Sequence, residues 1–278
     1  MTLFSVIVPT FNSEATIEKT INSILDQDYP NLEILIIDNH STDKTKEIID
    51  SFEDKRVSFH LINNKGLPAN SRNQGIDLAQ GEYIAFCDSD DIWQKNKLSE
   101  VLRFIKFDVI CHNVSIKNSL PKKISKFLFR DLFFKKIPKL NHLIKNGNYI
   151  ALSSLCIKAE ILKKNSFDIS DAFRAIEDFE LVLRLLKKKY KAIFINKKLG
   201  TVLYRELALS YISNQFRCNR ALRIKHFRDY KPQWYCYNIG TYLFRENRKN
   251  FARKYFQYAI GINSIEITLK SVFYLLRR

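Results

Sequence analysis

Several things are scarce in this chain of 278 residues. There are only 7 Gly and 6 Pro, which excludes collagen-like, low-complexity and turn-dense sandwich architectures. The five cysteines (Cys87, Cys111, Cys156, Cys218 and Cys236) are odd in number, far apart and never in a CxxC pair. Neither a disulfide framework nor a structural zinc site is indicated, and a reducing cytoplasm is the expected compartment. No run of ~18 uninterrupted apolar residues occurs, and the opening MTLFSVIVPTF has neither a basic leader nor a small-residue cleavage site. A membrane span or a cleaved export signal is therefore not expected.

Apolar and basic residues are abundant. With 46% hydrophobic residues, 21 Phe and 13 Tyr, the chain has enough material for one large core or two modest ones. The net charge of +17 is unevenly divided: residues 1–100 hold 9 Lys+Arg against 17 Asp+Glu, and residues 101–278 hold 37 against 12. An acidic first part and a strongly basic remainder suggest two tasks, the basic part facing an anionic partner such as a nucleic acid, a phosphorylated substrate or a membrane surface.

Short β-branched runs alternate with helical patterns. FSVIV (4–8) precedes a helix with Ile17, Ile21, Ile24 and Leu25 on one face; 34–37 end at Asp38 before a helix over 43–52; 57–62 precede a helix over 68–79; 83–87 end at Asp88 before Leu98, Val101, Leu102 and Ile105 at helical spacing. Four such units predict an α/β fold with a parallel sheet. Ligands of such sheets sit beyond the carboxyl ends of the strands, where Pro9-Thr10, Asp38 and Asp88 fall. A fifth strand is expected near 109–114, then a Phe-rich basic stretch over 117–145 that reads as a lid or membrane-touching segment. Strands follow at 150–157, 192–195 and 201–204, with a helix over 177–188. From about Leu209 the pattern is helical and basic, and Gly240, Ala252, Phe256 and Ala259 have the spacing of a tetratricopeptide-type helix hairpin. The expected division is a catalytic domain over 1–208 and a basic helical region over 209–278.

The segment GEYIAFCDSDDIW puts Asp88, Ser89, Asp90 and Asp91 at a strand end. In extended backbone residues 88 and 90 point to one side, and two such carboxylates repel unless a cation neutralises them. Mg²⁺ or Mn²⁺ takes one or two carboxylates together with waters and substrate phosphates. In chain order come VIVPTFN, LIIDNHSTD, GLPANSRNQGIDLAQGEYIAFCDSDD and, further on, AIEDFELVLRL. This series closely resembles the large inverting family-2 glycosyltransferases of the GT-A fold, strongly over about 3–115 and moderately over 146–205.

The resemblance implies a UDP-sugar donor, with Pro9, Thr10, Phe11, Asn12 and Asp38 holding the base and Arg72 lying beside it. Asp88 and Ser89 would contact the nucleotide-sugar, and Asp90, with Asp88, a Mn²⁺ or Mg²⁺ ion. The cation would absorb charge developing on a diphosphate leaving group. On the acceptor side Asp178 would be the general base and Glu177 its orienting neighbour, an action contributing ~10²–10⁴-fold. In-line attack opposite the diphosphate then gives a β-linkage from an α-linked donor. Two departures stand out. Asn39 occupies a position where relatives commonly carry a second Asp, and Leu203-Tyr204-Arg205-Glu206 lacks the histidine of the family's Tyr-Arg-x-His pattern. The five histidines show no metal spacing and read as surface or loop residues. Gln215-Phe216-Arg217 does not complete the element of processive synthases, so one sugar per encounter is expected.

The expected acceptor is a glycan, a lipid-linked oligosaccharide of lipopolysaccharide, O-antigen or capsule type. Residues 211–278 carry 14 Lys+Arg and 3 acids, with stripes of Phe251, Tyr255, Ala259 and Ile262, and of Ile265, Leu269, Val272 and Leu276. Amphipathic basic helices of this kind suit the anionic inner face of a membrane, each basic residue contributing about 1 kcal/mol; they equally suit packing of the apolar stripes on the catalytic domain with the charges left in water. A nucleic-acid-binding protein is disfavoured because the ordered motifs lie in the acidic half and no recognition module appears, so nucleic acid is not an expected partner. A nucleotidyltransferase would show a Gly-rich phosphate loop near the amino terminus. A catalytically dead homologue is disfavoured by the intact Asp88, Asp90 and Asp178.

Overall fold

The computed structural model of the chain describes residues 1–63, 66–118, 150–174, 176–204, 209–227, 231–260 and 265–276. The basic Phe-rich stretch expected as a lid, and Arg205 and Glu206, lie mostly or wholly outside them.

The fold is mixed α/β. Strands β1 (Phe4–Thr10), β2 (Leu32–Asp38), β3 (Val57–Leu61) and β4 (Tyr83–Phe86) alternate with helices α1 (Ile17–Leu25), α2 (Thr45–Asp50) and α3 (Pro68–Leu78). Next come β5 (Ile92–Trp93), α4 (Lys97–Leu102), β6 (Val109–Asn118), a 3₁₀ turn at Leu152–Ser154, β7 (Cys156–Lys158), α5 (Ala159–Lys164), a 3₁₀ turn at Asp171–Phe173, α6 (Glu177–Lys187) and β8 (Ala192–Tyr204). The chain closes with α7 (Leu209–His226), α8 (Gln233–Arg245), α9 (Lys249–Ala259) and α10 (Ile265–Leu276).

One eight-stranded sheet has the order β3-β2-β1-β4-β7-β6-β8-β5. Strands β1 to β4 are mutually parallel, as the alternating pattern predicts. Beyond them β7 runs antiparallel to both β4 and β6, and β5 antiparallel to β8. The two short strands expected at 192–195 and 201–204 are one strand, which follows β6 in parallel with an irregularity at Asn113. Strand β1 lies inside the sheet, between β2 and β4, and reads as mostly apolar sequence because both its faces are covered; Phe4, Val6, Ile7 and Val8 are fully buried. Ile17, Ile21 and Ile24 of α1 join the same core.

Two compact units emerge. The first comprises Met1–Pro138, Ile150–Phe167 and Leu185–Glu206, and contains the sheet. The second comprises Lys139–Tyr149, Asp168–Arg184 and Leu207–Arg278, so most of α6 belongs with the C-terminal helices.

In the second unit α8 and α9 form a hairpin. A Cβ on Gly240 would fall 2.8 Å from the Phe256 ring, so the glycine admits the aromatic ring and thereby chooses which face of α9 turns inward. Ala252, Phe256 and Ala259 are buried while Phe251 is 57% exposed. The inward face is thus turned by about one residue from the expected Phe251-Tyr255-Ala259 stripe. Likewise α10 buries Ile267 and Ser271 and exposes Leu269 and Val272, against the expected grouping. All five cysteines are free and buried, and among the described residues no helix is long and apolar enough to cross a membrane.

Candidate functional site

The site begins where two adjacent strands end at different levels. β1 pairs with β2 as far as Thr10↔Asp38, but its pairing with β4 stops at Ile7↔Phe86. Pro9 can occupy a central strand because its missing donor falls past the end of β4. The opening between the strands is a cavity of about 320 Å³ lined by Pro9, Thr10, Phe11, Pro68, Ser71, Arg72, Asp88, Ser89 and Asp90. Its lining residues come from three separate sequence motifs.

Helix α3 reaches this opening because Gly75 lets it approach β1 closely. A Cβ there would lie 2.6 Å from Ile7 Cγ2. Arg72, almost one turn earlier on the same buried face, is 6% exposed. It donates to Asp88 Oδ1 at 3.1 Å and sits 5.7 Å from the Phe167 ring centroid. Phe167 in turn is fixed by a reciprocal pair with Asn73, Nδ2 to the Phe167 carbonyl at 2.9 Å and the Phe167 N–H to Oδ1 at 2.8 Å.

After β4 the backbone turns, Asp91 N–H donating to the Asp88 carbonyl at 3.0 Å. Ser89 Oγ meets Ser13 Oγ at 2.8 Å, and the Ser89 carbonyl accepts from Thr20 Oγ1 at 3.0 Å. Asp91 points inward, 2% exposed, accepting the Leu203 N–H at 3.1 Å. Burial, with the Asp88 and Asp90 charges beside it, pushes its carboxyl up to about 7, against hydrogen bonds from Ser153 and Leu203. Asp88 and Asp90 face the cavity. A set of two hard carboxylate oxygens fits a Mg²⁺- or Mn²⁺-type ion that shares its remaining positions with water and a diphosphate. Among the described residues no group of three or more acids, histidines or cysteines could hold a metal ion.

Two expected binding residues stand outside the cavity lining. Asp38 is 1% exposed, and its oxygens accept the Ser41 N–H at 2.8 Å and Ser41 Oγ at 2.5 Å. Asn12, with a φ of 47°, accepts the Thr42 N–H on Oδ1 at 2.8 Å. Together with the Ser13 N–H on Thr45 Oγ1 and the Glu14 N–H on Asp43, they lace residues 12–14 to 41–45 and so shape the wall behind Thr10.

In the second unit, Glu177 and Asp178 open α6. Asp178 Oδ1 accepts its neighbour's N–H, from Phe179, at 2.6 Å. The Phe179 ring meets Trp234 edge-on at 5.5 Å. Glu180, fully buried, accepts from Arg184 at 3.0 Å, Lys225 at 2.8 Å and His226 at 3.2 Å, and Lys225 also reaches Asp168 at 2.8 Å. Burial alone would push the Glu180 carboxyl up; the bonds from His226, Arg184 and Lys225 outweigh it and hold it at about 2.

Sequence reasoning overlooked Ser153 and Lys97, both buried beneath the acidic turn. Lys97 looks like a surface residue at a helix start, and Ser153 lies in a stretch with no motif. Two histidines also depart from the expected surface location: His112 is 2% exposed in β6, and His226 is a partner of buried Glu180.

Comparisons with known proteins identify the family. Residues 5–158 match the family model "Glycosyl transferase family 2", and the chain belongs to that family: it is a glycosyltransferase. It is 34% identical over 219 residues, 78% of this chain and 82% of the relative, to the Escherichia coli UDP-Glc:alpha-D-GlcNAc-diphosphoundecaprenol beta-1,3-glucosyltransferase WfaP. Among solved structures, Staphylococcus aureus TarS 1–349 in complex with UDP aligns with a TM-score of 0.62 at 21% identity, covering 97% of this chain and 81% of that one. The Pyrobaculum calidifontis mannosyltransferase PcManGT, in complex with GDP-Man and Mn²⁺, aligns at 0.60 and 17%, covering 98% and 79%. Both likenesses concern the fold, which is that of GT-A enzymes.

Proposed function

We propose that the chain transfers one hexose from a UDP-sugar to a hydroxyl of a lipid-linked glycan, inverting the anomeric centre to form a β-linkage. The observation that carries the reading is the cavity at the unequal ends of β1 and β4, where Arg72, Asp88, Ser89 and Asp90 meet Pro9, Thr10 and Phe11. The donor and the lipid-diphosphate acceptor in the name of the E. coli relative support the substrate classes.

In this reading Pro9 to Phe11 form the wall against the nucleotide, Asn12 and Asp38 stabilise that wall, and Arg72 fixes one Asp88 oxygen while leaving the other toward the ligand. Asp88 and Asp90 would hold Mn²⁺ or Mg²⁺, which supplies charge neutralisation for a departing diphosphate. Asp178 takes the proton of the acceptor hydroxyl, and Glu177 orients the acceptor. Removing the proton as the oxygen attacks opposite the diphosphate gives inversion without a covalent intermediate.

The lipid carrier of the acceptor puts the reaction at the cytoplasmic face of a membrane. Supporting this, the outer side of α9 carries exposed Phe251, Lys254 and Tyr258. Arg248 lies over the Phe251 ring at 4.9 Å and Lys231 over Tyr258 at 5.7 Å. Apolar rings flanked by cations suit an anionic lipid surface.

The test is a transfer assay with UDP-glucose and UDP-N-acetylglucosamine on a synthetic diphosphate-linked lipid saccharide, with the anomeric configuration read by NMR. One β-linked sugar per acceptor is expected. An α-linked product, or transfer from no UDP-sugar, would contradict the proposal.

A further inference from the structure

A lysine lies wholly inside the first unit, under the acidic turn. Lys97 opens α4 and is 0% exposed. Its Nζ donates to the Ser153 carbonyl at 2.8 Å and sits 3.3 Å from the Trp93 ring centroid. Burying an ammonium is costly, and a leucine or methionine would fill the same space without that cost. Burial pulls the ammonium down to about 7, with Asp91 among the neighbours that oppose the shift.

Ser153 connects this cation to the site. Its Oγ accepts the Asp88 N–H at 3.0 Å. Asp91 is tied to β8 through the Leu203 N–H and closes the turn onto the Asp88 carbonyl. A chain of contacts therefore runs from Lys97 through Ser153 to the backbone that carries Asp88 and Asp90. Asp88 and Asp90 line the cavity, whereas Lys97, Ser153 and Asp91 are not among its lining residues.

We infer that Lys97 is a positioning residue for the cation and diphosphate: acting through Ser153, it fixes the spacing of the Asp88 and Asp90 carboxylates. The inference rests on the proposed reading of that pair as the cation site. With methionine in place of Lys97, the Ser153 carbonyl loses its donor and the turn relaxes without any change to a residue that touches ligand.

The experiment measures Mn²⁺ binding to the full chain in the presence of UDP, from the loss of the free-Mn²⁺ EPR signal, with melting temperature recorded in parallel. The variants are Lys97→Met, Ser153→Ala, Asp90→Ala and, as a core control, Leu98→Ala. Lys97→Met and Ser153→Ala are expected to weaken Mn²⁺ binding by roughly ten-fold or more, the scale of residues that orient metal ligands from outside. Leu98→Ala is expected to lower the melting temperature and leave Mn²⁺ affinity unchanged. Folded Lys97→Met with wild-type affinity, or Leu98→Ala weakening Mn²⁺ as much, overturns the inference while leaving the cation reading intact. Should Lys97→Met fail to fold, wild-type affinity in Ser153→Ala overturns it equally. Wild type that binds no Mn²⁺ with UDP, or that binds it no better than Asp90→Ala, overturns the cation reading and this inference with it.

Discussion

Arg72 and Asp88, sixteen positions apart on α3 and at the end of β4, are joined by a 3.1 Å ion pair at the mouth of the cavity. The arginine is buried and the carboxylate half-exposed, so the pair holds one Asp88 oxygen toward protein and leaves the carboxylate accessible. Arg72→Lys keeps the charge but loses the planar fork that spans Asp88 and the Phe167 ring, and such exchanges are not conservative. The expected result is a donor KM raised several-fold, about 1 kcal/mol of lost binding, with a melting temperature close to wild type. Steady-state kinetics against UDP-sugar checks it.

Asp178→Asn removes the proposed base and retains the shape of the first turn of α6. The turnover number should fall by roughly 10²–10⁴-fold, while UDP binding at the β1–β4 opening is unchanged. Isothermal titration of UDP alongside single-turnover transfer separates the two.

Glu180 gives the second unit a defined acid sensitivity. Its carboxyl is held at about 2 in the folded protein, below the ordinary value of about 4.3. A depressed folded value contributes stability that is full above the ordinary value and is lost as pH falls from there toward 2. Glu180→Gln should flatten that pH dependence and cost about 3–5 kcal/mol at neutral pH, because Arg184, Lys225 and His226 lose their buried counter-charge. Chemical denaturation at pH 3, 5 and 7 reads both effects.

Gly240→Val should destabilise the α8–α9 hairpin by about 1–3 kcal/mol, since the branched side chain meets the buried Phe256 ring. Urea unfolding followed by helix content measures it, and the loss should be recovered in part by Gly240→Val with Phe256→Leu.

The sequence announces the first half of this fold plainly, because β1, β2 and β4 are buried almost throughout and α1 carries a regular apolar face. The site was legible where motif and strand end coincide, at Pro9–Phe11, Arg72 and Asp88–Asp90. It was illegible where partners come from distant, patternless segments: Ser153 lies 65 positions from the Asp88 N–H it accepts, and a lysine under a carboxylate turn has no local signature. Antiparallel β7 is three residues long, too short for a period to register. The inward face of α9 follows the Gly240, Ala252, Phe256 and Ala259 spacing rather than the Phe251-Tyr255-Ala259 stripe, because Gly240 on the neighbouring helix admits the Phe256 ring; on α10 the apolar stripe alone pointed to the wrong face, since Ile267 and Ser271 are the buried residues.

The proposed function turns on whether the opening between β1 and β4 binds a nucleotide diphosphate with a cation on Asp88 and Asp90. Thermal unfolding with UDP, in Mn²⁺ and in chelator, for wild type and Asp90→Ala tests it most directly, since a ligand of the folded state raises its stability by mass action. UDP with Mn²⁺ is expected to raise the melting temperature of wild type, and chelator or Asp90→Ala to abolish most of the rise. No stabilisation of wild type by UDP with Mn²⁺, or an equal rise in Asp90→Ala, would contradict it.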